Sequence, residues 1–205
     1  MSSPAAPLKF HAPVAEEELA RAGYYALLAR LFYSGPDAAL LASMAGADKL
    51  GGEGQSELAQ AWQALAAAAG AAEADAAALE YDEVFVGTGK AEVTPYATHY
   101  LAETGREKML VRLKSDLAAM GLAKAGGAPE PEDHIAILCE VMRHLISQGQ
   151  SDAASQKIFF ERYLAPSYPR FCNAVTACKK AHFYKHVSKF ALAFFVVETE
   201  VLKMF

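Results

Sequence analysis

The sequence predicts an all-α, compact single-domain helical bundle, and three observations carry that prediction. Apolar residues recur three and four positions apart through most of the chain. No segment alternates with period two, as a half-buried strand would. Glycine- and proline-containing breaks separate the periodic stretches at helix-length intervals. A chain of 205 residues, 53% of them apolar and 21% charged, has the mass and composition for one folded core. The pattern predicts a bundle of roughly nine to eleven helices over residues 15–205, behind a disordered tail at 1–14.

The first helix is expected from about Glu16 to Tyr33, with Leu19, Tyr24, Leu27, Leu28, Leu31 and Phe32 on its apolar face and Ser34-Gly35-Pro36 as its stop. A short helix at about Asp37 to Met44 leads into a glycine-rich loop. An alanine-rich helix from about Glu57 to Ala69 has high propensity and little packing mass, so Trp62 and Leu65 are its expected anchors. The next, about Glu73 to Val86, ends in Glu80-Tyr81-Asp82-Glu83-Val84-Phe85 and is broken by Gly87-Thr88-Gly89-Lys90. Thr94-Pro95 reads as an N-cap and first helical position. Leu110, Leu113, Leu117 and Met120 form a stripe closed by Gly121, and a loop at 123–129 follows. Beyond Glu130-Pro131-Glu132-Asp133-His134, the residues Ile135, Leu138, Met142, Leu145 and Ile146 repeat at helical spacing as far as Gly149. Three helices fill the C-terminal third, at about 152–164, 166–179 and 182–204. Phe183, Val187, Phe190, Phe194, Val197 and Val201 run down one face of the last.

Composition narrows the function. A formal charge of −5 disfavours nucleic acid as a partner, because phosphate binding needs a basic face, and it permits a basic peptide. Cys139, Cys172 and Cys178 form no C-x-x-C pair, and their odd number suits reduced thiols in a cytoplasm. Cys172 and Cys178 read as small buried apolar residues. Residues 1–13 lack the apolar run of a secretory signal, and Phe190 to Val197 is far short of a membrane span. A cytoplasmic protein with no stable membrane insertion is expected.

Catalytic and metal chemistry find little support. Gly87-Thr88-Gly89-Lys90-Ala91 lacks the leading glycine of a P-loop, where Val84 stands, and the hydroxyl after the lysine, where Ala91 stands. No glutamate precedes any of the six histidines by three residues, so the di-iron pattern is absent. His182 and His186 share a helix face, but the sequence suggests no third ligand and an exposed polar face explains them. No nucleophile context is recognisable. The expectation is a protein that is not an enzyme and holds no cofactor or metal.

The polar signal concentrates at Glu130-Pro131-Glu132-Asp133-His134. One reading is a capped helix start: Pro131 in the first turn, carboxylates at the positive end of the dipole, and His134 on the surface. The other is that Asp133 and His134 are displayed for a ligand. Tyr81 and Phe85, four apart, share a face; Phe85 reads as a core anchor, and Tyr81 has a hydroxyl to lend to a groove edge.

These residues resemble the TorD/DmsD/NarJ family of redox-enzyme maturation chaperones, most closely its TorD/DmsD branch. The family's E-P-x-D-H motif is complete as Glu130, Pro131, Asp133 and His134. Its aromatic-x-x-Leu-Phe-x-Gly motif reads Tyr81-Asp82-Glu83-Val84-Phe85-Val86-Gly87, with valine for leucine. Thr94-Pro95-Tyr96 with Tyr100, and Met120-Gly121-Leu122, are similar to the family's flanking segments. The resemblance covers residues 16–202. It implies an all-helical cytoplasmic chaperone that binds the twin-arginine signal peptide, and in part the body, of a DMSO-reductase-type molybdoenzyme precursor. Such a chaperone assists cofactor insertion and delays export. Monomers and domain-swapped homodimers both occur in the family.

The chemistry agrees with the resemblance. Guanidinium groups need carboxylates, and the apolar part of a leader needs a groove beside them. Glu130, Glu132 and Asp133 supply charge, with Pro131 between them and His134 to hydrogen-bond or tune them. Tyr81, Phe85 and Trp62 complete the expected binding residues. Two other classes stand beside this one: a NarJ-like assembly factor for a subunit that is not exported, and a small all-α metal-binding protein or enzyme built on His182, His186 and the acidic loop.

Overall fold

The computed structural model describes residues 16–47, 56–87, 89–101, 105–123, 130–147 and 153–205. The N-terminal tail, the glycine-rich loop at 48–55, Thr88, residues 124–129 and the Gly149 stop lie outside the described residues. Ten α-helices are found among those described: α1 (Glu16–Tyr33), α2 (Ala38–Ala45), α3 (Glu57–Ala71), α4 (Ala74–Tyr81), α5 (Thr98–Leu101), α6 (Arg106–Ala119), α7 (Ile135–Ser147), α8 (Ala153–Phe159), α9 (Tyr168–Ala177) and α10 (Phe183–Lys203). Single π turns, Asp82–Val86 and Phe160–Leu164, extend α4 and α8. The fold is all-α, as the sequence predicts. Among the described residues the only extended pairing is an isolated bridge between Tyr96 and His134.

Helices α2 and α3 start on side-chain caps. The Asp37 side chain accepts from the Leu40 N–H at 2.7 Å and that of Ser56 from Ala59 at 3.1 Å. The start of α10 borrows its cap from another helix. The Glu80 carboxylate accepts from the N–H groups of His182, Phe183 and Tyr184 at 2.8–3.0 Å.

The core runs from α1 to α10 as one cluster of buried side chains. α1 packs most extensively on α7, and α10 on α3 and α9. The anchors of α3 are Trp62 and Leu65, both buried as expected. Two helix faces differ from the sequence expectation. In α1 the buried residues are Ala22, Tyr25, Leu28, Ala29, Leu31 and Phe32, while Leu19 is exposed and Tyr24 and Leu27 are half-buried. Counting large apolar residues overlooks Ala22 and Ala29, whose small size suits a close-packed helix contact. In α10 the buried face broadens to include Tyr184, Ser188, Ala191, Phe195, Glu198 and Leu202, leaving Val197 exposed and Val201 half-buried. Glu198 can be buried on that face because it is paired, meeting Arg21 at 2.7 and 2.8 Å and the Tyr25 hydroxyl at 3.0 Å.

Cys139 and Cys172 are free and buried; Cys178 is partly exposed, a correction that follows from its place at the C-terminal cap of α9. Among the described residues no helix is long and apolar enough to cross a membrane.

Candidate functional site

The two motifs, separated by more than forty residues, meet at the C-terminal end of α1. In the first, the π turn places Val84 and Phe85 side by side in the core, because its wider turn directs two consecutive residues inward. Phe85 packs edge-on against Phe32 and Tyr184, with ring centroids at 6.1 and 5.1 Å. The Tyr81 hydroxyl donates to the Tyr33 carbonyl at 2.7 Å and to that of Phe32 at 3.3 Å, covering carbonyls that the end of α1 leaves unpaired. Tyr81 is therefore buried with its hydroxyl engaged, rather than at a groove edge. Gly87 closes the turn at φ +66°, and a Cβ there would stand 2.3 Å from the Lys90 carbonyl oxygen, so the position requires glycine.

Segment 93–98 stitches this motif to the second. The Val93 N–H donates to the Val84 carbonyl at 2.9 Å, the Ala97 N–H to that of Asp133 at 2.8 Å, and the Ile135 N–H to that of Pro95 at 2.9 Å. Thr94-Pro95 is therefore not a helix start. Pro95 lies outside any helix, with its carbonyl taken by the Ile135 N–H, and the short helix begins at Thr98.

The acidic motif is a turn in front of α7, not its first turn. Pro131 lies outside the helix, where its carbonyl accepts from the His134 N–H at 3.1 Å. His134 is almost completely buried, which overturns the surface placement of the capping alternative. Its Nδ1 accepts from the Ala136 N–H at 3.2 Å, which places the proton of the neutral ring on Nε2 and makes that edge a donor. Tyr33 and Tyr96 pack edge-on against the ring at 6.1 and 5.5 Å. Burial lowers the His134 pKa, and the Glu130 and Asp133 charges only partly oppose it.

The three carboxylates have different settings. Asp133 is buried and accepts from the Thr98 hydroxyl at 2.5 Å, so it joins this turn to α5. Glu130 is half-buried and accepts from the Tyr96 hydroxyl at 2.7 Å. Burial, then the hydrogen bond and charge of Glu130, push the Tyr96 phenol up to about 12, so it stays a donor at neutral pH. Glu132 is half-buried and faces the Lys114 ammonium of α6 at 3.6 Å. Tyr33, Tyr96, Glu130, Pro131 and Glu132 thus keep accessible surface, while Asp133, His134, Tyr81 and Phe85 support them from beneath. Beside Tyr33, a small, mostly apolar groove of about 310 Å³ runs between α1 and α7, lined by Ala29, Ala136 and Ile137 with Arg30 and Glu140.

Trp62, the remaining expected site residue, packs against Tyr24 and Phe190 in the core shared by α1, α3 and α10. Tyr33, Tyr96 and Thr98 were not among the expected site residues. Tyr96 directly follows the Thr94-Pro95 pair, but no local signal links it to a carboxylate thirty-four positions on.

His182 and His186 line a separate cleft of about 750 Å³ between α3, α4 and the start of α10. His186 Nδ1 is buried there without a partner among the described residues. No group of three or more His, Cys, Asp or Glu among the described residues is arranged to hold a metal ion.

Comparison with known proteins identifies the family. The model of the nitrate reductase delta subunit family matches residues 52–173, more than half of the chain, and the chain belongs to that family. It is 28% identical over 134 residues to the chaperone protein TorD of Vibrio atlanticus (strain LGP32), covering 60% of this chain and 62% of that protein. It is 27% identical over 135 residues to the chaperone protein TorD of Shewanella pealeana (strain ATCC 700345 / ANG-SQ1), covering 62% of this chain and 60% of that one. The chain thus matches about three fifths of the length of these relatives. The TorD/NarJ kinship implied by the paired motifs is the one found.

Proposed function

We propose that this chain is a redox-enzyme maturation chaperone that binds the twin-arginine leader of a DMSO-reductase-type molybdoenzyme precursor in the cytoplasm. It holds the precursor while cofactor is inserted and so delays export. Its work is binding, with no chemical turnover. The observation that carries the reading is Glu130, a half-buried carboxylate fixed by Tyr96 at the place where both motifs converge. A positioned carboxylate suits a guanidinium fork better than a mobile one, because less side-chain freedom is lost on pairing. Buried His134 supports the turn from beneath, and the neighbouring α1–α7 groove suits a leader's apolar residues.

On this proposal Glu130 and Glu132 take the arginines and Pro131 shapes the turn. Asp133, Tyr81 and Phe85 hold it in place, and Trp62 contributes through the core beside α1. Titration calorimetry with a twin-arginine leader tests the reading. Binding is expected to weaken as salt rises and to fall at least about tenfold in Glu130→Gln, one charge-assisted contact's worth. No binding at low ionic strength, or full affinity in Glu130→Gln, would discard it.

The family's description as a nitrate reductase delta subunit favours a second reading, an assembly factor for a subunit that is not exported. A leaderless N-terminal segment of such a subunit that binds as tightly as a twin-arginine leader would support it.

A further inference from the structure

We propose that Lys114 is a built-in competitor for the client's second arginine; the inference rests on the leader-binding reading above. Glu132 is one of the two accessible carboxylates of the acidic turn, and its side chain is only 15% exposed. The cation it faces is intramolecular: Lys114 of α6, its ammonium 3.6 Å away and its side chain 52% exposed. Glu130, by contrast, is held by a neutral phenol. The two carboxylates therefore differ before any client arrives. One is positioned and uncompensated by the contact that holds it, and the other already has a cation.

The geometry makes this pair replaceable. At 3.6 Å the contact lies beyond hydrogen-bond length, so Lys114 acts as a point charge rather than a fixed donor. A guanidinium brings a planar fork that can take both oxygens of Glu132 at once. The ammonium sits on a flexible stem and can swing into solvent when displaced. Its helix does not depend on it. Leu113 and Leu117 are buried, and Asp116 accepts from Arg162 at 2.5 Å and from the Tyr163 hydroxyl at 2.6 Å. Lys114 can thus leave Glu132 while α6 stays in place.

The effect is a limit on affinity that acts on the second arginine alone. A peptide with one arginine satisfies Glu130 and leaves the Lys114–Glu132 pair intact. A peptide with two must displace Lys114, losing about what an exposed ion pair provides. A chaperone that hands its client on needs such a limit, because most affinity differences reside in the rate of release.

The test is calorimetry at low salt on the full chain, with a twin-arginine leader and the same peptide carrying a single arginine. Lys114→Met keeps the apolar stem and removes the charge. It is expected to bind the twin-arginine peptide about two- to fivefold more tightly and the single-arginine peptide unchanged. The gain should vanish at high salt and in the Lys114→Met/Glu132→Gln double variant. Equal gains for both peptides, or no gain for the twin-arginine one, overturn the proposal. Glu130→Gln is the separate control on the site: if it leaves both affinities unchanged, the leader-binding reading fails and the competitor role fails with it. Thermal melts confirm that each variant is folded.

Discussion

Tyr96 and His134 are the residues at which the site's chemistry can be probed most directly. The Tyr96 hydroxyl fixes Glu130, and Tyr96→Phe removes that one contact while keeping the ring against His134. A net hydrogen bond contributes about 0.5–1.5 kcal/mol to stability, so the melting temperature should fall by about 1–6 °C, while leader affinity falls about two- to tenfold as Glu130 loses its positioning. Unchanged or tighter binding would mean that the phenol competes with the client rather than preparing its partner. His134 makes a separate prediction about pH. Its pKa is lowered in the folded protein, chiefly by burial, so between that value and the ordinary value of 6.5 the unfolded chain binds the extra proton. Its contribution to stability is complete above pH 6.5 and is lost as pH falls through that window to the folded pKa. Denaturant melts from pH 7.5 to about 5 should show a drop that is smaller in His134→Gln, since glutamine does not titrate. Equal slopes in the two proteins would show that other groups carry the acid sensitivity.

At the scale of elements, the first motif joins helices and the second presents charge. Phe85 and Tyr81 tie the π turn to the end of α1, and Phe85→Ala removes a buried ring with contacts to Phe32, Phe171 and Tyr184. Such truncations cost about 3–5 kcal/mol, and the loss should appear in denaturant melts before it appears in leader affinity of the folded fraction. Glu80→Ala strips three N–H groups at the start of α10 of their acceptor and should cost about 0.5–2 kcal/mol, the range of a lost cap, with leader binding retained. Normal melts for Glu80→Ala would mean that water replaces the carboxylate without loss. Neither joint is visible in sequence. Helix positions were legible because spacing and breaks are local: α1 and α3 begin and end close to where periodicity and punctuation place them. The acidic turn and the Tyr81–Gly87 motif were legible as motifs for the same reason. What periodicity could not supply is long-range pairing. Thr94-Pro95 has the local form of a helix start, yet the Pro95 carbonyl accepts from Ile135, forty residues on. The burial of His134 follows from Tyr33 and Tyr96 closing over it, which no spacing rule near His134 reports.

Across the whole molecule, one polar cluster fastens the first described helix to the last. Arg21 of α1 gives a two-pronged contact to Glu198 of α10, Tyr25 donates to the same carboxylate, and Glu18 takes the remaining edge of the guanidinium at 2.6 Å. Both charged side chains are nearly withdrawn from water, at 11% and 1% exposure. Desolvating the two ions offsets much of their attraction, so the cluster's value lies in its completeness rather than in net stabilisation. Glu198→Leu leaves the Arg21 guanidinium with Glu18 alone and strands a buried phenol, and should cost about 3–5 kcal/mol, a large share of the 5–15 kcal/mol typical of a domain. The triple variant Arg21→Met/Tyr25→Phe/Glu198→Leu removes every group that would be left unpaired within the core. Well-packed apolar replacements of this kind are often neutral, so the triple variant should recover most of the loss in denaturant melts. If it stays as unstable as Glu198→Leu, the cluster contributes packing or register that apolar side chains of similar size do not reproduce. In either outcome the experiment reads the joint that closes the bundle.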